Sequence, residues 1–129
     1  MRLELKIPRR LESPNTWNGR HWRVKHRLTT QWELEIMVQR MPLVTKPYPN
    51  LHGENKMRVS VERHVPHWRN FIRDDDNLRF AVKPLLDALK RQGYIKNDSR
   101  KWLDHPTPTQ HVSADGKDYT VVIIEPADG

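Results

Sequence analysis

Leu78, Ala81, Val82, Leu85, Leu86 and Leu89 recur at helical spacing and form the strongest amphipathic stripe in the chain. Such a stripe must bury one face, which commits the fold to at least one helix packed on another layer. Pro84 falls inside it, removing a backbone donor and crowding the carbonyl of Phe80, so the helix must kink or begin late. Gly93 supplies the C-terminal stop.

The other elements follow from period and punctuation. Leu3, Leu5 and Ile7 alternate with Arg2, Glu4 and Lys6 as in a half-buried strand, which Pro8 ends. Residues 9–28 hold neither period and read as a long surface loop. Thr30-Gln31-Trp32-Glu33 fits a capping box, followed by Leu34, Met37, Val38 and Met41 at helical spacing and a stop at Pro42. Residues 42–56 read as a connector. Met57, Val59, Val61 and Val65 line one face of a strand, interrupted by Arg63, while Arg58, Ser60, Glu62 and His64 face the other way. Asn97-Asp98-Ser99 reads as a turn, and a further strand is expected between residues 100 and 112. Asp115-Gly116 turns into Tyr119–Ile124, the apolar run of a buried central strand. Trp32 and Trp102 are expected in the core. The order predicts an α+β fold, a small mixed β-sheet with two main helices in a single domain over residues 1–129.

The apolar fraction of 36% is lean for such a chain, and a small core of this kind often needs a second subunit, so a homodimer is expected. Lys and Arg number 23 against 16 acids, for a net charge of +7, which favours a polyanionic partner. The absence of cysteine excludes disulfides, thiolate zinc sites and a cysteine nucleophile. The N-terminus is charged throughout, and no apolar run nears the roughly 18 residues of a membrane span. A soluble cytoplasmic protein with no membrane partner is expected.

Against that positive charge, Asp74, Asp75 and Asp76 stand together just before the helical stripe. On an extended segment Asp74 and Asp76 share a face, so both carboxylates can converge on one site. Oxygen-only ligation suits Mg²⁺ or Mn²⁺, and such ions stabilise attacking and leaving oxygens in phosphodiester cleavage. Capping the helix is the competing explanation. One Asp serves as a cap; three exceed what capping needs. An EF-hand is excluded, because that loop wants an oxygen ligand where Leu78 stands.

Arg73-Asp74-Asp75-Asp76-Asn77-Leu78, Lys83-Pro84-Leu85-Leu86-Asp87-Ala88-Leu89 and Gly93-Tyr94-Ile95-Lys96-Asn97-Asp98 together resemble the signature of the RusA-type Holliday junction resolvases. The resemblance covers residues 73–102 well; residues 1–30 share only a strand, a Ser13-Pro14-Asn15 loop and basic residues. It implies a small homodimeric, Mg²⁺-dependent endonuclease, typically phage- or prophage-encoded, that places paired symmetric nicks in four-way DNA junctions during recombination and repair. By the same resemblance Asp74, Asp76 and Asp98 are the catalytic, metal-binding carboxylates. Two positions depart from the family pattern. Asn97 replaces the first acid of an Asp-Asp pair, and Phe80 stands where the catalytic lysine is usual. Lys83, three residues later, is the candidate to steady phosphate charge, with an ion pair to Asp87 as its alternative role.

Arg20, Arg23, Lys25 and Arg27 interleave with Trp17, His21, Trp22 and His26, so the cations are expected on phosphates and the rings on exposed bases or on the sheet. Arg69 and Arg73 flank the aspartates and are expected to guide phosphate toward them. His64 and His67 bracket Pro66 and read as a polar strand end. No protein partner beyond a second copy is implied. The alternatives are a Mg²⁺-dependent nuclease of broader substrate choice and a non-catalytic DNA-binding protein whose acids are caps.

Overall fold

The computed structural model describes residues 2–13, 22–40 and 52–127. The described chain runs β1 (Leu3–Ile7), α1 (Trp22–Arg40), β2 (Met57–Val65), a 3-10 turn (Trp68–Asn70), α2 (Asp75–Ala81), α3 (Lys83–Arg91), β3 (Leu103–Asp104), β4 (Thr109–Val112) and β5 (Tyr119–Pro126). It is α+β with a mixed five-stranded sheet in the order β1-β5-β2-β3, and β4 also pairs with β2. β5 is central and antiparallel to both neighbours, whereas β3 and β4 run parallel to β2, at its start and its end. The apolar run of β5 thus lies where a strand is covered on both edges.

The pleat divides β2 cleanly. Met57, Val59, Val61, Arg63 and Val65 are buried, and the residues between them are partly exposed. The buried side joins Leu5 and Ile7 of β1, Val122 and Ile124 of β5, Trp32 and Ile36 of α1, and the α2–α3 stripe in one core. All six residues of that stripe are at most 3% exposed. Each large aliphatic among them contributes roughly 1.5–3 kcal/mol by burial.

Pro84 ends the ambiguity over that helix. The chain breaks at Val82, and Pro84 enters α3 at its first turn, where its missing N–H is not needed. At the other end Gly93, at φ 80°, closes a Schellman motif. There Tyr94 N–H donates to Leu89 O at 3.0 Å and Gly93 N–H to Lys90 O at 3.2 Å.

Three expectations are corrected. Residues 22–28 are not loop: α1 starts at Trp22, so Thr30 to Glu33 lie within the helix and cap nothing. Secondly, the buried stripe of α1 is Leu28, Trp32 and Ile36, while Leu34, Met37 and Val38 are 58%, 43% and 58% exposed. Helical spacing alone does not say which of two apolar stripes faces the sheet. Trp102 is only partly buried, lying beneath the cation of Lys96, whose Nζ is 4.2 Å from the ring centroid. Met41, Pro42 and the connector up to residue 51 lie outside the described residues. Among the described residues no helix is long and apolar enough to cross a membrane.

Candidate functional site

The acidic cluster sits at the head of α2. Asp74 is the N-cap, extended at φ −95° and ψ 122°, and its Oδ1 accepts from Asp76 N–H at 2.8 Å and Asn77 N–H at 3.3 Å. Asp75 and Asp76 occupy the first turn, where the helix dipole favours negative charge. The capping role is therefore real for Asp74, and all three carboxylates remain exposed.

Asp74 borders a cleft of about 520 Å³ whose walls include Arg10, Arg63, Asn70, Arg73 and Asn77. Arg63 is the unusual member, a guanidinium only 2% exposed, reaching out of the core face of β2. Its Nε donates to Leu11 O at 3.0 Å, and Nη1 donates to Asn70 O at 2.7 Å and Gln110 Oε1 at 3.1 Å. Burial, reinforced by the nearby Arg10 charge and opposed by Asp118, draws its pKa down to about 10. The group thus stays charged at neutral pH. Gln110 also holds the segment leading to Asp74, accepting from Ile72 N–H at 2.9 Å and donating to Ile72 O at 2.8 Å.

Asp98 lies in the turn after α3. It follows Asn97, whose Oδ1 accepts from Asp98 N–H at 2.7 Å and Ser99 N–H at 3.3 Å, in an exposed turn that feeds β3. β3 meets β2 at Met57 and Arg58, whereas Gln110, beside the aspartates, meets it at Arg63. The expectation that Asp74 and Asp76 share one face of an extended segment is corrected: Asp74 is extended, but Asp76 lies inside α2, where residues two apart point in different directions. Asp74, Asp76 and Asp98 are not a set whose ligand atoms lie within 4.8 Å of one another. Lys83, half-buried in the first turn of α3, does not pair with Asp87, which instead meets Lys25 Nζ at 3.6 Å. Lys83 lies close enough to His105 for its charge, after burial and together with Arg79, to hold that imidazole below its ordinary pKa.

The predicted DNA cations are redistributed. Arg23, Lys25 and Arg27 are on the first two turns of α1, all exposed. Arg69 lies in the 3-10 turn, over the ring of Trp68, and Arg73 is exposed beside Asp74 on the cleft. Arg20, Trp17 and His21 lie outside the described residues, as does the side chain of Trp22. His67 caps the 3-10 turn, its Nδ1 accepting from Arg69 N–H at 3.1 Å.

A different set of metal-type ligands appears on the face of the sheet opposite the core. Glu62, His64 and His111 each offer one ligand atom within 4.8 Å of the others, and they can hold a metal ion. Glu62 and His64 share a face of β2, and the parallel register sets His111 of β4 opposite His64. His64 Nε2 is 2.9 Å from Glu62 Oε1. The His64 ring is stacked between His111 and Tyr119, at centroid separations of 4.7 and 4.3 Å. A ring nitrogen offers its lone pair in the ring plane, and the two imidazoles lie only 17° from parallel. A shared ion therefore requires one ring to turn out of the stack; for the exposed His111 that means giving up the 2.8 Å contact between its Nε2 and Thr109 Oγ1. Two imidazoles and one carboxylate suit zinc and several other transition ions. The sequence offered half of this signal in the Glu62–His64 alternation; the partner 47 positions later than His64 depends on strand register.

No protein-family model matches the chain, and no curated protein matches it.

Proposed function

We propose that the chain is a RusA-type, structure-selective endonuclease that resolves four-way DNA junctions by paired nicks as a homodimer. The supporting observation is the motif order of residues 73–98 combined with the setting of its first half. Asp74 and Asp76 stand exposed at the head of α2, and Asp74 opens onto a cleft walled by arginines in a chain of net charge +7.

The carboxylate oxygens of Asp74 and Asp76 suit a hard divalent ion such as Mg²⁺ or Mn²⁺, which would supply Lewis-acid stabilisation of phosphate charge when bound. Asp98 is not gathered with them. A three-carboxylate set needs these exposed side chains to be drawn together when the ion binds. On this reading Arg73 orients the strand at the cleft, Lys83 adds positive charge beyond α2, and Arg23 and Arg27 meet flanking phosphates from α1. The exposed apolar residues Leu34, Met37 and Val38 give a second copy a surface to cover. Light scattering is expected to report a dimer that Met37→Glu weakens.

Asp76→Asn separates catalysis from capping. A catalytic Asp76 predicts loss of cleavage with junction binding kept or strengthened, since charge repulsion is relieved. Retained cleavage by this variant would remove Asp76 from the site.

A further inference from the structure

We propose that Arg63, assisted by Arg10, forms a pre-ordered anion subsite that seats a phosphate group in the cleft beside Asp74. The identity of the phosphate carrier, a DNA strand, rests on the nuclease reading above; the subsite itself does not.

Removing a cation from water is costly unless acceptors and a counter-charge replace the lost solvation. Arg63 has the acceptors: Leu11 O, Asn70 O and Gln110 Oε1 engage its Nε–H and both Nη1 hydrogens. All three are formally neutral. No ion pair among the described residues includes Arg63 or Arg73. Asp118, the acid whose charge Arg63 feels, is bonded to Arg10 Nε at 2.7 Å. Nη2 meets no acceptor among the described residues, although Arg63 lines the cleft.

The side chain is therefore fixed by three bonds, charged, without an ion-pair partner among the described residues, and supplied with a spare amino group at a cavity wall. A tetrahedral oxyanion meets that requirement, accepting from Nη2 while Arg10 and Arg73 approach from the same cleft. Two carboxylates line the same cleft, and both are engaged elsewhere: Asp74 Oδ1 caps α2, and Glu12 Oε1 meets Arg9 Nη2 at 3.3 Å. Because Asn70 and Gln110 bind Arg63 while Gln110 also holds Ile72, the subsite is tied to the segment that carries Asp74. A phosphate seated on Arg63 is thus held in register with the aspartates.

The test uses the full chain. Thermal unfolding is followed with inorganic phosphate, and with chloride at equal ionic strength, for the wild type, Arg63→Gln and Asp76→Asn. The expected result is a phosphate-specific rise in Tm for the wild type and Asp76→Asn, with affinity reduced about tenfold or more in Arg63→Gln. A junction-binding arm reports the carrier, where Arg63→Gln is expected to weaken binding and reduce the salt slope by about one phosphate contact. Should Arg63→Gln not fold, the wild-type Arg63 guanidinium ¹⁵N resonances are followed instead; they are expected to shift with phosphate and not with chloride. Equal responses to phosphate and chloride, or undiminished phosphate affinity in Arg63→Gln, would overturn the subsite. A strut without a ligand role lowers stability and leaves the phosphate response intact. Phosphate binding without junction cleavage by the wild type sinks the nuclease reading and leaves the subsite standing.

Discussion

Arg63 and His64 are neighbours in the chain, yet the pleat of β2 sends them to opposite faces of the sheet. On the helix side, Arg63 is buried, held by three hydrogen bonds, and set beside the exposed aspartates at the head of α2. On the other side, Glu62, His64 and His111 are partly or fully exposed and held by ring stacking, the 2.9 Å contact of His64 with Glu62 and the 2.8 Å contact of His111 with Thr109 Oγ1. The first arrangement is rigid and incomplete in charge. The second has its ligands nearby but its lone pairs misaligned. A rigid cation meets an incoming anion without reorganising, whereas the trio on the other face must spend ring motion before it binds an ion.

The sharpest way to break this comparison is to remove each side in turn. Arg63→Met strands three acceptors and is expected to cost about 2–4 kcal/mol in urea unfolding, while His64→Ala costs under about 1 kcal/mol. Equal losses would show that the two faces do not differ in rigidity. Zinc titration examines the face of Glu62, His64 and His111 alone. At about 100-fold excess over its Kd, Zn²⁺ should stabilise the wild type by about 2.7 kcal/mol. Glu62→Gln and His111→Ala should lose that gain, and Asp76→Asn should keep it. Loss in Asp76→Asn as well would merge the two sites. Asp74→Ala should cost about 1 kcal/mol as a lost cap, and Asp74→Asn only a few tenths. A larger loss would assign Asp74 more than the two bonds it makes to α2.

The smallest effect concerns His105, beside Lys83. Burial first, then the Lys83 and Arg79 charges, lower its folded pKa from 6.5. The folded state then binds fewer protons than the unfolded chain below that value. The stability from neutral His105 is complete above about pH 6.5 and is lost as pH falls through the lowered folded value. The difference between wild type and His105→Asn, measured as stability against pH, should therefore shrink on acidification. A constant difference would detach His105 from the cationic neighbourhood of α2 and α3.

Much of the fold was legible because its signals are local. The alternation in Leu3–Ile7 and Met57–Val65, the stripe from Leu78 to Leu89, Pro84 and Gly93 each act within a few residues. α1 was misplaced because Leu34, Met37 and Val38 offered a second apolar face, and only packing against β1 and α3 selects Leu28, Trp32 and Ile36. Spacing placed Asp74 and Asp76 on one extended face, but the helix begins at Asp75 and turns Asp76 away from that arrangement. Arg63 looked like an interruption in a strand because its acceptors come from Leu11, Asn70 and Gln110, which no periodicity connects. His111 was hidden for the same reason. Long-range register decides both.

The most direct test of the endonuclease reading is cleavage of a labelled four-way junction beside a linear duplex of equal length, with Mg²⁺ and with EDTA. The account predicts paired symmetric nicks in the junction alone, only with Mg²⁺, and none from Asp76→Asn. Tight junction binding with no cut under any metal condition would contradict it and leave a DNA-binding protein whose aspartates cap a helix.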